Sequence, residues 1–399
     1  MSFGPGGSRA PALPYWRLSA WYFSYFAFIG AFSPYFGLYL LSLGHSAWHI
    51  SVLLSLMQMM RLVAPNLWSY LSERIGSKTP VIRVAALLSL LGFASFFFTS
   101  SFVGLFFGMT LLAFFWSASL PLVEALTLGH LQHQAERYGS IRLWGSVGFI
   151  IAVLGVGALL DVQALANLLW VSLLLLGAIF ACALALPEAP TVKLAETLAP
   201  LRVTLRRRQV QALLAASFLM SAAHGPLYVF YSIHLVEHGY GKTLVGGLWA
   251  LGVVAEILVF LYMPRALQRH SLRAILLVSF ACAVLRFLVI GWGADSLALL
   301  LLAQLLHGVT FGAYHAAAVA ALHHWFPGSQ QARAQALYGS VSFGAGGMLG
   351  GLLSGRTWEI LGPGWTYSLG ALFALIGLIL VWRGLNQQES DDGSEIGRT

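Results

Sequence analysis

Leu272-Arg-Ala-Ile-Leu-Leu-Val-Ser-Phe-Ala-Cys-Ala-Val-Leu-Arg286-Phe-Leu-Val-Ile-Gly-Trp292 is an almost unbroken run of apolar and small side chains that carries an arginine inside it. About 20 such residues is the length at which a helix crosses the hydrocarbon core of a bilayer. Comparable runs recur from Trp16 to Trp382 with little room between them. Across the chain 58% of residues are hydrophobic and only 9% are charged, roughly a third of the charge density of a soluble domain. The bilayer is therefore the main solvent, and the expected fold is all-α and integral to the membrane. Apolar runs set against polar breaks predict spans near 15–41, 48–71, 80–100, 102–127, 139–160, 164–186, 209–237, 243–264, 272–292, 296–323, 333–355 and 363–384.

The net charge of +8 would suit nucleic acid only if it were gathered on a soluble face, and no such module exists here, so nucleic acid is excluded as a partner. With the N-terminus placed in the cytoplasm, the inner segments hold about seventeen Lys and Arg residues and the outer loops only Lys242 and Arg356, which follows the positive-inside rule. Both termini are accordingly expected in the cytoplasm, with the lipid bilayer as partner and a bacterial-type inner membrane as location. The first 14 residues lack the charged region, apolar core and cleavage site of a signal peptide, so the first span is expected to direct insertion. Cys182 and Cys282 lie within apolar runs and read as small buried hydrophobes rather than a disulfide.

The longest break, Pro187–Arg208, divides the spans six and six and reads as a cytoplasmic linker, 187–208, between halves 15–186 and 209–384, with tails 1–14 and 385–399. An internal echo supports the division: Tyr138-Gly139-Ser140 opens span five and Tyr338-Gly339-Ser340 opens span eleven, each followed by a glycine-rich helix. Small residues let helices approach closely, which serves ordinary packing and also a rocking interface between halves.

The stretch Ser69-Tyr70-Leu71-Ser72-Glu73-Arg74-Ile75-Gly76-Ser77-Lys78 resembles the major facilitator signature between helices two and three, with Ser69, Glu73 and Ser77 where Gly, Asp and Arg are usual. Tyr138-Gly-Ser-Ile-Arg142-Leu-Trp144-Gly-Ser-Val-Gly148, Leu248-Trp-Ala-Leu-Gly-Val-Val-Ala-Glu256 and Leu306-His307-Gly-Val-Thr310-Phe resemble the phenylpropionate permease branch, related to lactose permease. The likeness runs through nearly the whole chain. It implies a major facilitator fold and proton-coupled symport by alternating access. The partners implied are a proton and a small-molecule substrate, best an aromatic carboxylate such as 3-phenylpropionate, with a sugar or nucleoside as the alternative.

An ionisable side chain at membrane depth is costly unless it faces a partner or a wet cavity, so each is a functional candidate. Glu256, near the middle of span eight among apolar and small residues, is the first choice for the coupling proton; the bland reading is a permanent pair with Arg286. Arg286 keeps its charge in any environment and so needs Glu256 or an anionic substrate. His307 is a candidate for a proton relay or for a hydrogen bond to a neighbouring helix. His315, eight residues on, is placed by α-helical geometry roughly 80° around the span. His224, beside Gly225-Pro226 in span seven, and Tyr228 one turn later are candidates for the substrate cavity; the dipeptide should loosen the helix and open carbonyls to that cavity. Arg61, at mid-span two, is the candidate for contact with a carboxylate.

By resemblance to lactose permease-like proteins, Glu124 on span four and Arg142 on span five form a carboxylate–arginine pair, which either binds substrate or locks two helices. A sugar or nucleoside would rely on that pair and on stacking against Trp144. Span one carries Tyr22, Tyr25, Phe32, Tyr35, Phe36 and Tyr39 mostly on one face, a lining suited to a ring-bearing solute or an ordinary aromatic surface. No His-Glu-x-x-His, Gly-x-Ser-x-Gly or phosphate-loop pattern occurs, so an enzyme or an ATP-driven pump is not expected. Neither is a cofactor or a metal. A non-transporting receptor or scaffold is the remaining alternative of another class.

Overall fold

The computed structural model describes residues 13–132, 134–189, 201–328 and 330–385. Among them every regular element is helical, and twelve helices are long and apolar enough to span a membrane. Spans 1 to 6 are Tyr15–Ser42, Ala47–Ile75, Thr79–Phe97, Phe102–Leu131, Tyr138–Val162 and Asn167–Ala185. Spans 7 to 12 are Arg208–Glu237, Lys242–Arg269, Leu272–Trp292, Leu297–Trp325, Gln330–Leu361 and Pro363–Gly384. The chain is thus a multi-pass membrane protein, as its composition predicts. Of the segment read as a linker, 190–200 lie outside the described residues, as do 1–12 and 386–399 of the tails.

Several helices outrun their apolar stretches. Span 2 continues from the expected 71 to Ile75, span 4 from 127 to Leu131, and span 8 from 264 through Pro264 to Arg269. Composition marks where hydrocarbon ends, whereas a helix continues until its hydrogen-bond ladder is interrupted. At span 2 that interruption is Gly76, whose φ of 72° is left-handed and ends the helix beside Arg74. Only three residues then separate it from span 3. The turn is tied down from elsewhere: Glu188, just past span 6, accepts from Ser77 Oγ, from the Lys78 amide at 3.0 Å, and from the Thr79 amide and hydroxyl, both at 2.9 Å. Partial burial pushes the Glu188 carboxyl up, but these donors outweigh it and hold the group below the usual carboxylate range.

Short connections make successive spans antiparallel within each half, and the end of span 5 meets the start of span 8 through Asp161, Lys242 and Thr243, so residues 13 and 385 share one face, the terminal face. Spans 1 and 7 are the most enclosed, with 78% and 72% of their apolar windows buried, and the other spans pack around them. The halves are joined by hydrogen bonds that gather at the opposite face. Tyr35 donates to the Lys242 carbonyl at 3.3 Å, the Trp48 amide to Glu359 at 2.8 Å, and the Lys242 and Thr243 amides to Asp161 at 2.7 and 2.8 Å. Span 7 is jointed at His224, as the Gly225-Pro226 dipeptide predicts. It packs on span 11, where Gly225 and the Ala222 carbonyl lie directly against Gly350.

Candidate functional site

At mid-depth between the halves lies a small cavity, with room for about one water molecule in this conformation, lined by Gln58 of span 2, by Ser221, His224 and Tyr228 of span 7, by Phe311 and Tyr314 of span 10, and by Phe343 of span 11. Its aromatic wall is thus built largely by the second half. The local cause is a widened helix: Gly308–Ala313 in span 10 and Ser340–Gly346 in span 11 both form π turns. Each π turn holds an extra residue and rotates the rest of its helix. His307, Phe311 and His315 therefore stack in one column, with centroid separations of 5.5 and 6.2 Å. His315 also meets the Tyr338 hydroxyl at 3.1 Å, and Tyr338 donates to Tyr314 at 3.2 Å.

Behind the cavity wall Arg286 is fully enclosed. Its Nε donates to the Ala303 carbonyl at 2.8 Å, and one terminal nitrogen to Thr310 Oγ1 at 3.3 Å and to His224 Nε2 at 3.4 Å. His224 Nδ1 lies 2.8 Å from the Met220 carbonyl. A carbonyl can only accept, so Nδ1 carries the proton and Nε2 is the acceptor turned toward the guanidinium. The pair of Glu256 with Arg286, the alternative to a proton-carrying Glu256, is not formed: among the described residues no carboxylate lies within ion-pair distance of Arg286, and its other terminal nitrogen has no partner. Glu256 sits instead 3.7 Å from His307 Nε2, leaving His307 Nδ1 buried and unpartnered. The reason is facing: Arg286 is held between spans 7, 9 and 10 by His224, Thr310 and the Ala303 carbonyl, while Glu256 turns to His307 and Gly312 of span 10.

Arg61 on span 2 is exposed and within electrostatic reach of Tyr25 on span 1 and Tyr228 on span 7. It makes no ion pair among the described residues. The pair expected of Glu124 and Arg142 is also not closed. Tyr138 donates to Glu124 at 3.3 Å, and the Arg142 guanidinium lies 3.9 Å above the Phe26 ring and 5.8 Å from that of Tyr22. A cation–π seat leaves Arg142 within electrostatic reach of both Glu124 and, across the divide, Glu256.

Two aromatic expectations are corrected. Trp144 donates to the Tyr15 hydroxyl at 3.2 Å and leans on Trp16 at 5.8 Å. It is engaged at the terminal end of span 1, away from the mid-depth cavity. Tyr22 and Tyr25 are buried, not open lining. Tyr25 is stacked between Trp21 at 4.8 Å and Trp116 at 4.1 Å, and Tyr22 contacts Thr127 at 3.3 Å. The aromatic face of span 1 is the core of the first half.

Residues 15–369 match the MFS_1 like family. The chain belongs to that family. The relatives of this MFS_1-like protein include the probable 3-phenylpropionic acid transporter of Escherichia coli K12, 32% identical over 90% of this chain and 95% of its own length. The maltose permease of Geobacillus stearothermophilus is 30% identical over 94% and 95%. Among solved structures the nucleoside transporter NupG superposes with a TM-score of 0.81 at 17% identity, covering 92% of this chain and 98% of its own, a likeness of fold alone. The protein is a transporter of the major facilitator type and not an enzyme.

The MFS_1-like fold brings together His224, Tyr228, Glu256, Arg286, His307 and Arg61, and it leaves Trp144 outside. Phe311, Tyr314, Phe343 and Gln58 were missed by sequence reasoning. Gln58 carries a usable signal, a polar side chain three residues from Arg61 in an apolar span and so on the same helix face. The aromatic three have none, because an aromatic residue in a membrane helix is unremarkable until its facing is known.

Proposed function

We propose that this transporter moves a small organic solute together with protons by alternating access, in a bacterial-type inner membrane with both termini cytoplasmic. The observation that carries the reading is the contact of Glu256 with His307, 3.7 Å apart at mid-membrane beside the cavity between the halves. Ionisable groups at that depth are expensive and mark ion pathways. Glu256 is the proton carrier and His307 its neighbour in relay, while Arg286 holds His224 in a fixed tautomer behind the cavity.

The solute is an aromatic carboxylate such as 3-phenylpropionate. Three things support this: Arg61 without an anionic partner among the described residues, the aromatic wall of Tyr228, Phe311 and Phe343, and the name borne by the Escherichia coli relative. A sugar or nucleoside would draw on Glu124, Arg142 and Trp144, and Trp144 is committed to Tyr15. The test is uptake into proteoliposomes under an imposed pH gradient, with 3-phenylpropionate, maltose and uridine as competing solutes. Accumulation of the acid that collapses with a protonophore is expected. Preference for maltose or uridine refutes the substrate, and uptake indifferent to the gradient refutes the coupling.

A further inference from the structure

The two carboxylates at the opposite face occupy related places. Asp161 is the penultimate residue of span 5 and Glu359 lies two residues before the end of span 11, the spans that share the Tyr-Gly-Ser sequence, which opens span 5 and lies one helical segment into span 11. Asp161 accepts the Lys242 amide at 2.7 Å, the Thr243 amide at 2.8 Å and the Thr243 hydroxyl at 2.6 Å, with the Lys242 ammonium 3.7 Å away. These are the first amides of span 8. Glu359 accepts the Trp48 amide, in the first turn of span 2, at 2.8 Å.

Helices leave their first amides without partners inside the helix, and a side chain normally supplies them from the preceding residue. Spans 4 and 9 are capped that way by Ser101 and Ser271. Span 8 is preceded by Gly241, which has no side chain to offer. Its cap comes from the other half of the molecule. In span 2 Ser46 serves His49, and Trp48 is left to Glu359. Beneath each cap glycines bring the same helix pairs into contact: Gly157 against the Lys242 carbonyl and Gly246 against the Val153 carbonyl in one, Gly351 against Ser55 and Gly355 against Ser51 in the other.

We infer that Asp161 and Glu359 are positioning residues of the transport cycle, a two-fold related pair of locks in which each half caps a helix of the other and so holds this face shut. Both caps must break for the face to open. The released amides lie at the helix ends, where water can take the carboxylate's place, so the locks bias the equilibrium without freezing it. This inference is independent of the substrate and of proton coupling.

The test uses the full chain in detergent with Cys182→Ser and Cys282→Ala, and a reporter thiol at Ser51→Cys, a position fully buried under Gly355 between the halves. The rate of labelling by N-ethylmaleimide reads opening of this face. Loss of a helix cap typically shifts such an equilibrium about fivefold, and separate sites combine. Asp161→Asn and Glu359→Gln should each speed labelling about fivefold and the double variant about 25-fold. Asp161→Glu and Glu359→Asp should recover part of the protection. Asp295→Asn, an exposed acid beside His238 in the same half, should change nothing. Thr243→Val, which removes one bond and no charge, should give a smaller rise and serves where the double variant fails to fold. Labelling of the double variant at the native rate, or a native rate in Thr243→Val when only that variant folds, overturns the inference.

Discussion

Replacing Arg61 by glutamine isolates the solute's share of the binding energy, because among the described residues this arginine has no ion-pair partner to strand. It is exposed and within electrostatic reach of Tyr25 and Tyr228. A hydrogen bond to a charged group contributes about 1.5–3 kcal/mol, so loss of the guanidinium should weaken 3-phenylpropionate binding roughly 10- to 150-fold. Arg61→Lys keeps the charge but not the two-pronged donor, and should fall between. The neutral alcohol 3-phenylpropanol should bind the variant nearly as well as it binds the native protein. Equilibrium binding to purified protein measures all three. Acid affinity within twofold of native in Arg61→Gln, or equal losses for acid and alcohol, refutes the role. Arg286→Gln is a different experiment: it leaves the Ala303 carbonyl, Thr310 and His224 without their donor, so its cost falls first on the fold of the second half and should appear as a lower melting temperature.

Glu256→Gln resembles a permanently protonated carrier, and should abolish pH-driven accumulation while leaving exchange of internal for external solute intact and indifferent to pH; native accumulation would return the coupling role to His307 or Glu124. Glu188 has its pKa held down in the folded protein, so its contribution is complete above the ordinary carboxylate range and is lost as pH falls through the lowered value. Glu188→Gln should cost about 1 kcal/mol, as for other caps, and flatten the fall in melting temperature between roughly pH 5 and 3; an unchanged acid limb would refute the sign. A reporter fused after Thr399 should be active only in the cytoplasm, and activity outside would overturn the assigned orientation.

The twelve spans were legible because one physical fact, the thickness of hydrocarbon, repeats along the chain. The loneliness of Glu256 and Arg61 was legible for the same reason, since a charge in an apolar run needs no structure to be conspicuous. What stayed hidden was facing. Trp144 and Tyr25 have the right chemistry for a ring-bearing solute but point at Tyr15 and Trp116. The supposed partner of Arg286 lies on another face of its helix. Hydropathy reports how deep a residue lies and says little of its azimuth in a bundle that is apolar on all sides.

The π turn after His307 bears on how this chain is compared with others. An α-helix advances 100° per residue, so a relative built with an ordinary turn in span 10 would need one residue fewer to present the same face below it. Residue-by-residue matching through Gly308–Ala313 would then assign His315 to a position that points elsewhere in the relative. Roles carried across that segment must be checked against the superposed helices, whatever the quality of the alignment on either side.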